Sequence, residues 1–500
     1  MSEETDININ NYETAPLPLA LDKKVSGIRA VLGGSSDLLI KRARIAGNDI
    51  VIAGLEGMIS NFETSRMIMV PLMNAPLPDD LPPEELFGFI SGKMLLSLDT
   101  AILTTFGDII SRLMSGFAVI MTDGVGKAFC AGIQGFAARG ISEPSSEGSI
   151  TAAHEGFTET IHTNISLVRR RIRSPLLQFR LIKIGTVGKT EAALVYMNDR
   201  VPHRLIRRIS SRLKKLPPET VLGYGSAEPF IVRSRPSLFS AASTSERPDV
   251  VCAKLIGGRI CLLIDGTPYA LIVPAVFSDN FQTVDDYNFK PYYAAFIRII
   301  RYCAFIFSIF LPGVYVAVAM HHREILRSEL LLNLACAEMT SPLPIASEAL
   351  IILLFYEIIR EAGIRLPKSI GGAVSLIGGL ILGDAAVSAG IITDPMLLVC
   401  AISVTAAFVI PSLNQPVSIL RLLCVAAGGV FGLFGISLAA VMITADVCSL
   451  ESFGVPVTSP LSPFTPAAAG DIILRESMEK LSVRGMTVEK YRGADIDRYL

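Results

Sequence analysis

CLLIDGTPYAL, residues 261–271, runs apolar, turns at an Asp-Gly pair and runs apolar again, which is the pattern of a two-stranded hairpin. VIMTDGVGKAF at 119–129 has the same pattern, with Asp123-Gly124 aligned to Asp265-Gly266 at an offset of 142 residues. That offset also lays DIVIAGLEG (49–57) onto EAALVYMND (191–199), strand pattern on strand pattern. Together these matches predict an internal duplication: an α/β soluble domain of two related lobes, spanning 31–140 and 173–290. Residues 1–30 read as a disordered acidic N-terminal tail and 141–172 as a linker, with SEPSSEGS (142–149) a flexible connector.

The rest of the chain is of another kind. Apolar residues make up 51% of the 500 and charged residues 18%, with mean hydropathy +0.50, too apolar for an ordinary soluble protein of this length. The excess lies after residue 290, which predicts an all-α polytopic membrane domain over 291–445 and a C-terminal tail over 446–500, of which 465–500 reads as loosely ordered. Candidate spans are 295–320, 346–363, 370–392, 396–413 and 417–444, about five helices; 326–339 is shorter, half polar, and reads as interfacial or re-entrant. Lys290, Arg298 and Arg301 flank the first span on its N-terminal side, which places the lobes in the cytoplasm by the positive-inside rule. The N-terminus has neither a basic nor an apolar region of the signal-peptide kind.

Several function classes fall away. A net charge of −1 gives no footprint for nucleic acid. The eight cysteines show no CxxC pairing and read as buried free thiols, and no cofactor motif or metal cluster is visible. Gly188-Lys189-Thr190 resembles the end of a phosphate-binding loop, but the upstream Gly185 is only three residues away and a strand follows. His154, His162 and His203 are isolated, so no catalytic constellation emerges and the chain does not read as an enzyme. The basic helical stretch HRLIRRISSRLKKL (203–216) reads either as a solvated face of a packed helix or as a surface for lipid or an anionic partner; VRRRIRSP (168–175) reads as linker or interface.

The candidate functional residues are charges inside the apolar half. In SEALIILLFYEIIREAGIRLP (347–367), Glu357 and Glu361 share a helix face about 40° apart, whereas Glu348 falls about 180° from Glu357. Arg360 is spaced to pair with Glu357 and Arg365 with Glu361, so this pair reads as a charged helix end or as part of an ion path. Asp384 lies deep in a predicted span, where an ionisable group faces the bundle interior or water. Small residues line one face at Gly372, Ser375, Gly379 and Gly383, and again at Gly428, Gly432 and Gly435, which predicts close helix packing.

PLPIASEALIILLFYEIIREAGIRLP (342–367), followed by SIGGAVSLIGGLILGDAAVSAGI (369–391) and preceded by GGRICLLIDGTPYALIVPAVF (257–277), resembles the A subunit of bacterial spore germination receptors, the GerA/GerK-type family. DDYNFKPYYAAFIRIIRYCAFIFSIFLPGVYV (285–316), YMNDRVP (196–202) and SFGVPVTSPLSPF (452–464) fit as well, and the resemblance covers about 165–465. It implies a membrane subunit of a nutrient-responsive receptor in the spore inner membrane, assembled with a transporter-like B subunit and a lipoprotein C subunit. It also implies a homo-oligomer in membrane lipid that forms a ligand-gated cation channel and releases ions from the spore core. Glu348, Glu357, Arg360 and Glu361 match the family; many relatives have Glu at Leu353, Gln at Asp384 and Glu at Ser388. Two alternatives stand beside this: a related sporulation subunit that amplifies ion release without sensing nutrients, and a secondary transporter, whose inverted repeats and broken helices this sequence does not display.

Overall fold

The computed structural model describes residues 11–92, 99–135, 144, 147–216, 219–232, 235–339, 341–366, 383–484 and 486–496. In the first lobe, helix α1 (Leu21–Val31) precedes strands β1 (Leu38–Ile45) and β2 (Asn48–Leu55), helix α2 (Pro83–Gly92), β3 (Thr100–Leu103), α3 (Phe106–Met114), β4 (Phe117–Thr122) and β5 (Ala128–Gly132). The second lobe runs α4 (Ile161–Arg171), β6 (Leu177–Ile184), β7 (Thr190–Met197), α5 (His203–Lys214), α6 (Tyr224–Val232), β8 (Ser243–Ser245), α7 (Pro248–Ile256), β9 (Ile260–Ile264) and β10 (Ala270–Val273). The antiparallel sheets have equivalent strand orders, β1-β2-β4-β5-β3 and β6-β7-β9-β10-β8. Alternate residues of each central strand feed opposite cores: Val51 and Val119 face α1 and α3, while Ile50 and Ile120 face α2.

The aligned Asp-Gly turns do more than reverse the chain. Asp123 Oδ1 accepts from Leu21 N at 2.8 Å and Asp265 Oδ1 from Ile161 N at 3.0 Å, so each carboxylate satisfies an orphan amide at the start of the equivalent helix. Gly124 (φ 77°) and Gly266 (φ 84°) adopt the left-handed turn conformation, and their amides bond Leu19 O and Glu159 O.

Two boundaries need correcting. The stretch assigned to a disordered tail at 1–30 holds α1, which buries Leu21, Val25 and Ile28 in the first core. The stretch assigned to a linker at 141–172 holds α4, whose Ile161, Ile165 and Val168 belong to the second core. Its Arg169, fully buried, pairs with the equally buried Asp37 at 2.7 Å and lies 4.7 Å over the Phe179 ring, pinning lobe to lobe. Residues 147–151 are likewise held, with Ser149, Ile150 and Thr151 donating to Asp285.

The second half is helical: α8 (Pro291–His321), α9 (Ser328–Glu338), α10 (Ile345–Arg365), a short helix over 383–388, α11 (Asp394–Phe408) and α12 (Asn414–Ser449). Among the described residues, two stretches, Pro291–His321 and Pro411–Ser449, are long and apolar enough to cross a membrane. Most of the proposed span 370–392, with Gly372, Ser375 and Gly379, lies outside the described residues. The proposed span 396–413 is a 15-residue helix ending at Phe408, because Pro411 starts a new turn.

The span placed at 417–444 is two limbs. Gly432 has φ 63° and ψ −147°, a conformation essentially closed to other residues, and the helix breaks there. Beyond it the chain folds back so far that a Cβ on Gly435 would strike the carbonyl oxygen of Ala427, a residue about 12 Å of axial rise away in a straight helix. Gly428 does serve close packing as expected: a Cβ there would meet Gly313 O of α8 at 2.5 Å. Pro312 deprives Ser308 O of its helical donor, and Ser403 Oγ of α11 supplies one at 2.9 Å.

The C-terminal region is ordered against the second lobe, which corrects the loosely ordered tail. Ser452 Oγ donates to Ala241 O at 2.6 Å, Phe277 N to Val457 O at 2.7 Å, and Arg475 to the carbonyls of Asp286 and Tyr287.

Candidate functional site

Arg421 is a buried charge in the helical bundle: a guanidinium on α12, 1% exposed, within a limb that carries no other charge before the break. It donates to Glu357 Oε1 of α10 at 3.0 Å and lies 5.5 Å over the Tyr356 ring. Glu357 is shared, since Arg360 approaches its other oxygen at 2.5 Å. The cluster joins two arginines to one carboxylate and ties α10 to α12 by fixed charge. Of the predicted residues, then, Glu357 and Arg360 come together as their spacing requires. Arg421 was missed, although a lone arginine in an apolar run is itself a signal that a partner exists.

Glu348 is 1% exposed and serves another element. Its carboxylate accepts from the backbone N and, at 2.8 Å, from Oγ1 of Thr393, the residue preceding α11, so it caps the positive end of that helix. Leu353, on the same helix, is fully buried. Glu361 pairs with Arg365 at 2.7 Å on exposed surface, the helix-end arrangement. Asp384 is exposed on the short helix 383–388, the water-facing of the two settings its sequence position allows. A Cβ placed on Gly383 would come within 3.8 Å of Leu397 of α11, while Asp384 beside it is exposed.

A second cluster sits where the lobes meet the bundle. Arg298 and Arg301, at the N-terminal end of the first long helix, are buried and both bind Asp286 Oδ2, at 2.9 and 2.8 Å. Arg298 also reaches Asp471 of the C-terminal region at 2.9 Å. Burial alone would raise the Asp286 carboxyl, but Arg301 and Arg298 overcome it and hold it low. Asp285 next to it is held at about 2: burial opposes ionisation, and the amides of Ile150 and Thr151 with the hydroxyls of Ser149 and Thr151 more than offset it. Asp286, Asp471 and Arg475 carried no periodic signal and were missed.

The remaining motifs find structural places. Gly185 and Lys189 (φ 45°) form the turn between β6 and β7, with no phosphate-loop geometry. On α5, Leu205, Ile206, Ile209 and Leu213 are buried as their spacing requires, and Arg208 and Arg212 lie 5.9 and 5.1 Å over the Phe453 ring. Cys303, Cys336 and Cys448 are exposed, contrary to the reading of all thiols as buried. Among the described residues no three His, Cys, Asp or Glu side chains converge as metal ligands.

Residues 26–486 match the family described as Bacillus/Clostridium GerA spore germination protein. The chain is 34% identical to spore germination protein KA of Bacillus subtilis over 91% of its own length and 84% of that protein. It is 32% identical to the uncharacterized membrane protein YfkQ of B. subtilis, over 97% and 94% of the two chains. With spore germination protein GerLA of Bacillus cereus, identity is 31% over 87% and 89%. The crystal structure of the N-terminal domain of the A subunit of the Bacillus megaterium spore germinant receptor GerK3 aligns with 53% of this chain and 98% of that one, at 29% identity and a TM-score of 0.43.

Proposed function

The chain belongs to the GerA family of spore germination proteins, and from that premise we propose that it is the membrane subunit of a nutrient-responsive germination receptor. The supporting observation is the reach of the match: 26–486 takes in both lobes, the bundle and the C-terminal region as one unit. In this reading the two lobes arose by duplication and sit in the cytoplasm, and the bundle crosses the spore inner membrane several times. Several copies assemble, with a transporter-like B subunit and a lipoprotein C subunit, into a channel that passes cations when the nutrient binds.

The ion pairs refine where such a path would run. Glu348 and Glu357 are already occupied by Thr393, Arg360 and Arg421, so they act as struts between helices and set the gate. Asp384, exposed, and Glu361, exposed though paired with Arg365, are the candidate carboxylates placed to face a path formed between copies. The test is cation release from spores expressing this chain with its neighbouring subunits. Asp384→Asn is expected to slow release or change its selectivity at equal protein level, with an unchanged Tm. Release unaltered by both Asp384→Asn and Glu361→Gln would remove these carboxylates from the path, and, in spores stripped of other receptors, nutrient-triggered release that survives deletion of the gene would end the receptor reading.

The alternative reading, a related subunit that amplifies ion release without sensing nutrients itself, is separable by deletion. It predicts that cation release by the other receptors of the spore is slowed, not abolished, when this gene is deleted.

A further inference from the structure

Between the second lobe and the C-terminal region lies a cavity of about 300 Å³, close to the lower end of volumes that hold small molecules. Its lobe side carries Lys254 of α7, Arg259 just before β9, and Asp279. Val276, Ile472 and Val488 supply an apolar wall, the last two from the C-terminal region. Tyr287 and Asp471 close the side toward the bundle.

The charges around this space do not balance. Lys254 and Arg259 both bind Asp279, Lys254 at 2.7 Å, so two cations share one carboxylate. The other two acids of the lining are committed elsewhere, Asp249 to Arg247 at 2.7 Å and Asp471 to Arg298 at 2.9 Å and Tyr287 at 2.8 Å. Among the described residues, Asp279 is the acceptor that Lys254 Nζ reaches, and an ammonium has three protons to donate. Burial pushes the Lys254 ammonium down, only partly countered by Asp279, and an incoming anion would relieve that cost.

We propose that this cavity binds a small amphipathic anion, its carboxylate or phosphate on Lys254 and Arg259 and its apolar body against Val276, Ile472 and Val488. The occupant would bridge the lobe and the C-terminal region. It would also touch Tyr287 and Asp471, and Asp471 is a partner of Arg298 at the base of α8, so occupancy is placed to bias the first long helix. This goes beyond the receptor reading and stands apart from it, since binding is measured on the isolated protein whether or not a channel forms.

The experiment uses the full chain in detergent micelles, with hexanoate and phenyl phosphate as probes and hexylamine as the cationic control. At millimolar concentration at least one anion is expected to raise Tm saturably by roughly 2–4 °C while hexylamine does nothing. Lys254→Met should abolish the shift, and Lys183→Met, an exposed lysine on the same lobe, should retain it. If Lys254→Met does not fold, Ala468→Phe, which fills the cavity and keeps both cations, decides in its place. The proposal is overturned if neither anion shifts Tm, if hexylamine shifts it equally, or if Lys254→Met or Ala468→Phe leaves the shift intact.

Discussion

Removing one member of a buried charge cluster costs more than the cluster contributes, because the partner is left charged and unsolvated. Glu357→Ala would strand Arg421 and Arg360 around an empty site, and a loss of about 3–5 kcal/mol is expected, read as a large fall in Tm in detergent. Glu357→Gln combined with Arg421→Met should recover most of it; a double variant as damaged as Glu357→Ala would show that the pair is not what fails. Half of this arrangement was legible in the sequence. Glu357 with Arg360, and Glu361 with Arg365, follow from helical spacing alone, whereas Arg421 lies 64 residues from Glu357 and Thr393 lies 45 from Glu348. Long-range pairs of that kind leave no periodic trace, so the carboxylates were visible and their partners were not. Asp285 gives a prediction in pH. Its carboxyl titrates at about 2 in the folded chain against about 4 when unfolded, so its contribution is complete above pH ~4 and is lost as pH falls toward ~2. Amide exchange at Ile150 and Thr151 should accelerate across that window, ahead of the cores; protection that persists to pH ~2 would contradict the role given to Asp285.

The elements divide by how local their causes are. The aligned hairpins and the buried face of α5 were readable because alternation and 3.6-residue spacing are local signals. Helices α1 and α4 were assigned to tail and linker because what anchors each is an aspartate about 100 residues downstream. The break in α12 was hidden in a different way. Gly428, Gly432 and Gly435 carry the spacing of a small-residue face, and only the first is used as one; the second supplies the break and the third the fold-back. At Gly432 any side chain is strained by the positive φ and meets His321 Cβ at 3.0 Å. Gly432→Ala is therefore expected to cost about 1–3 kcal/mol, against a much smaller change for Ala at an outward-facing helical position such as Ser437. Equal Tm values for Gly432→Ala and Ser437→Ala would mean that the limb does not need its break.

At the scale of the whole molecule, the break decides which side the chain ends on. The limb Asn414–Phe431 runs from the lobe end of the bundle to the far end, where His321 Nε2 meets Gly429 O at 2.8 Å. The limb after Gly432 returns, and Asp446 near its end accepts from Ser237 of the second lobe at 2.6 Å. A single unbroken helix of 36 residues would span about 54 Å, well beyond a hydrocarbon core of about 30 Å, and would carry the C-terminal region away from the lobes. Instead Asp471 and Arg475 reach the base of α8, closing the ion cluster around Arg298 and Asp286. Helix α9, which follows α8 at its far end, must then lie on the opposite side of the bundle from the C-terminal region. Two single-cysteine variants test this in intact cells with a membrane-impermeant maleimide, one retaining Cys336 on α9 and the other carrying Glu489→Cys on exposed C-terminal surface. With the lobes cytoplasmic, Cys336 should label from outside and position 489 only after permeabilisation. Labelling of both from outside would mean that α12 crosses once without folding back, and the contacts of Asp471 and Arg475 with the lobe could not form.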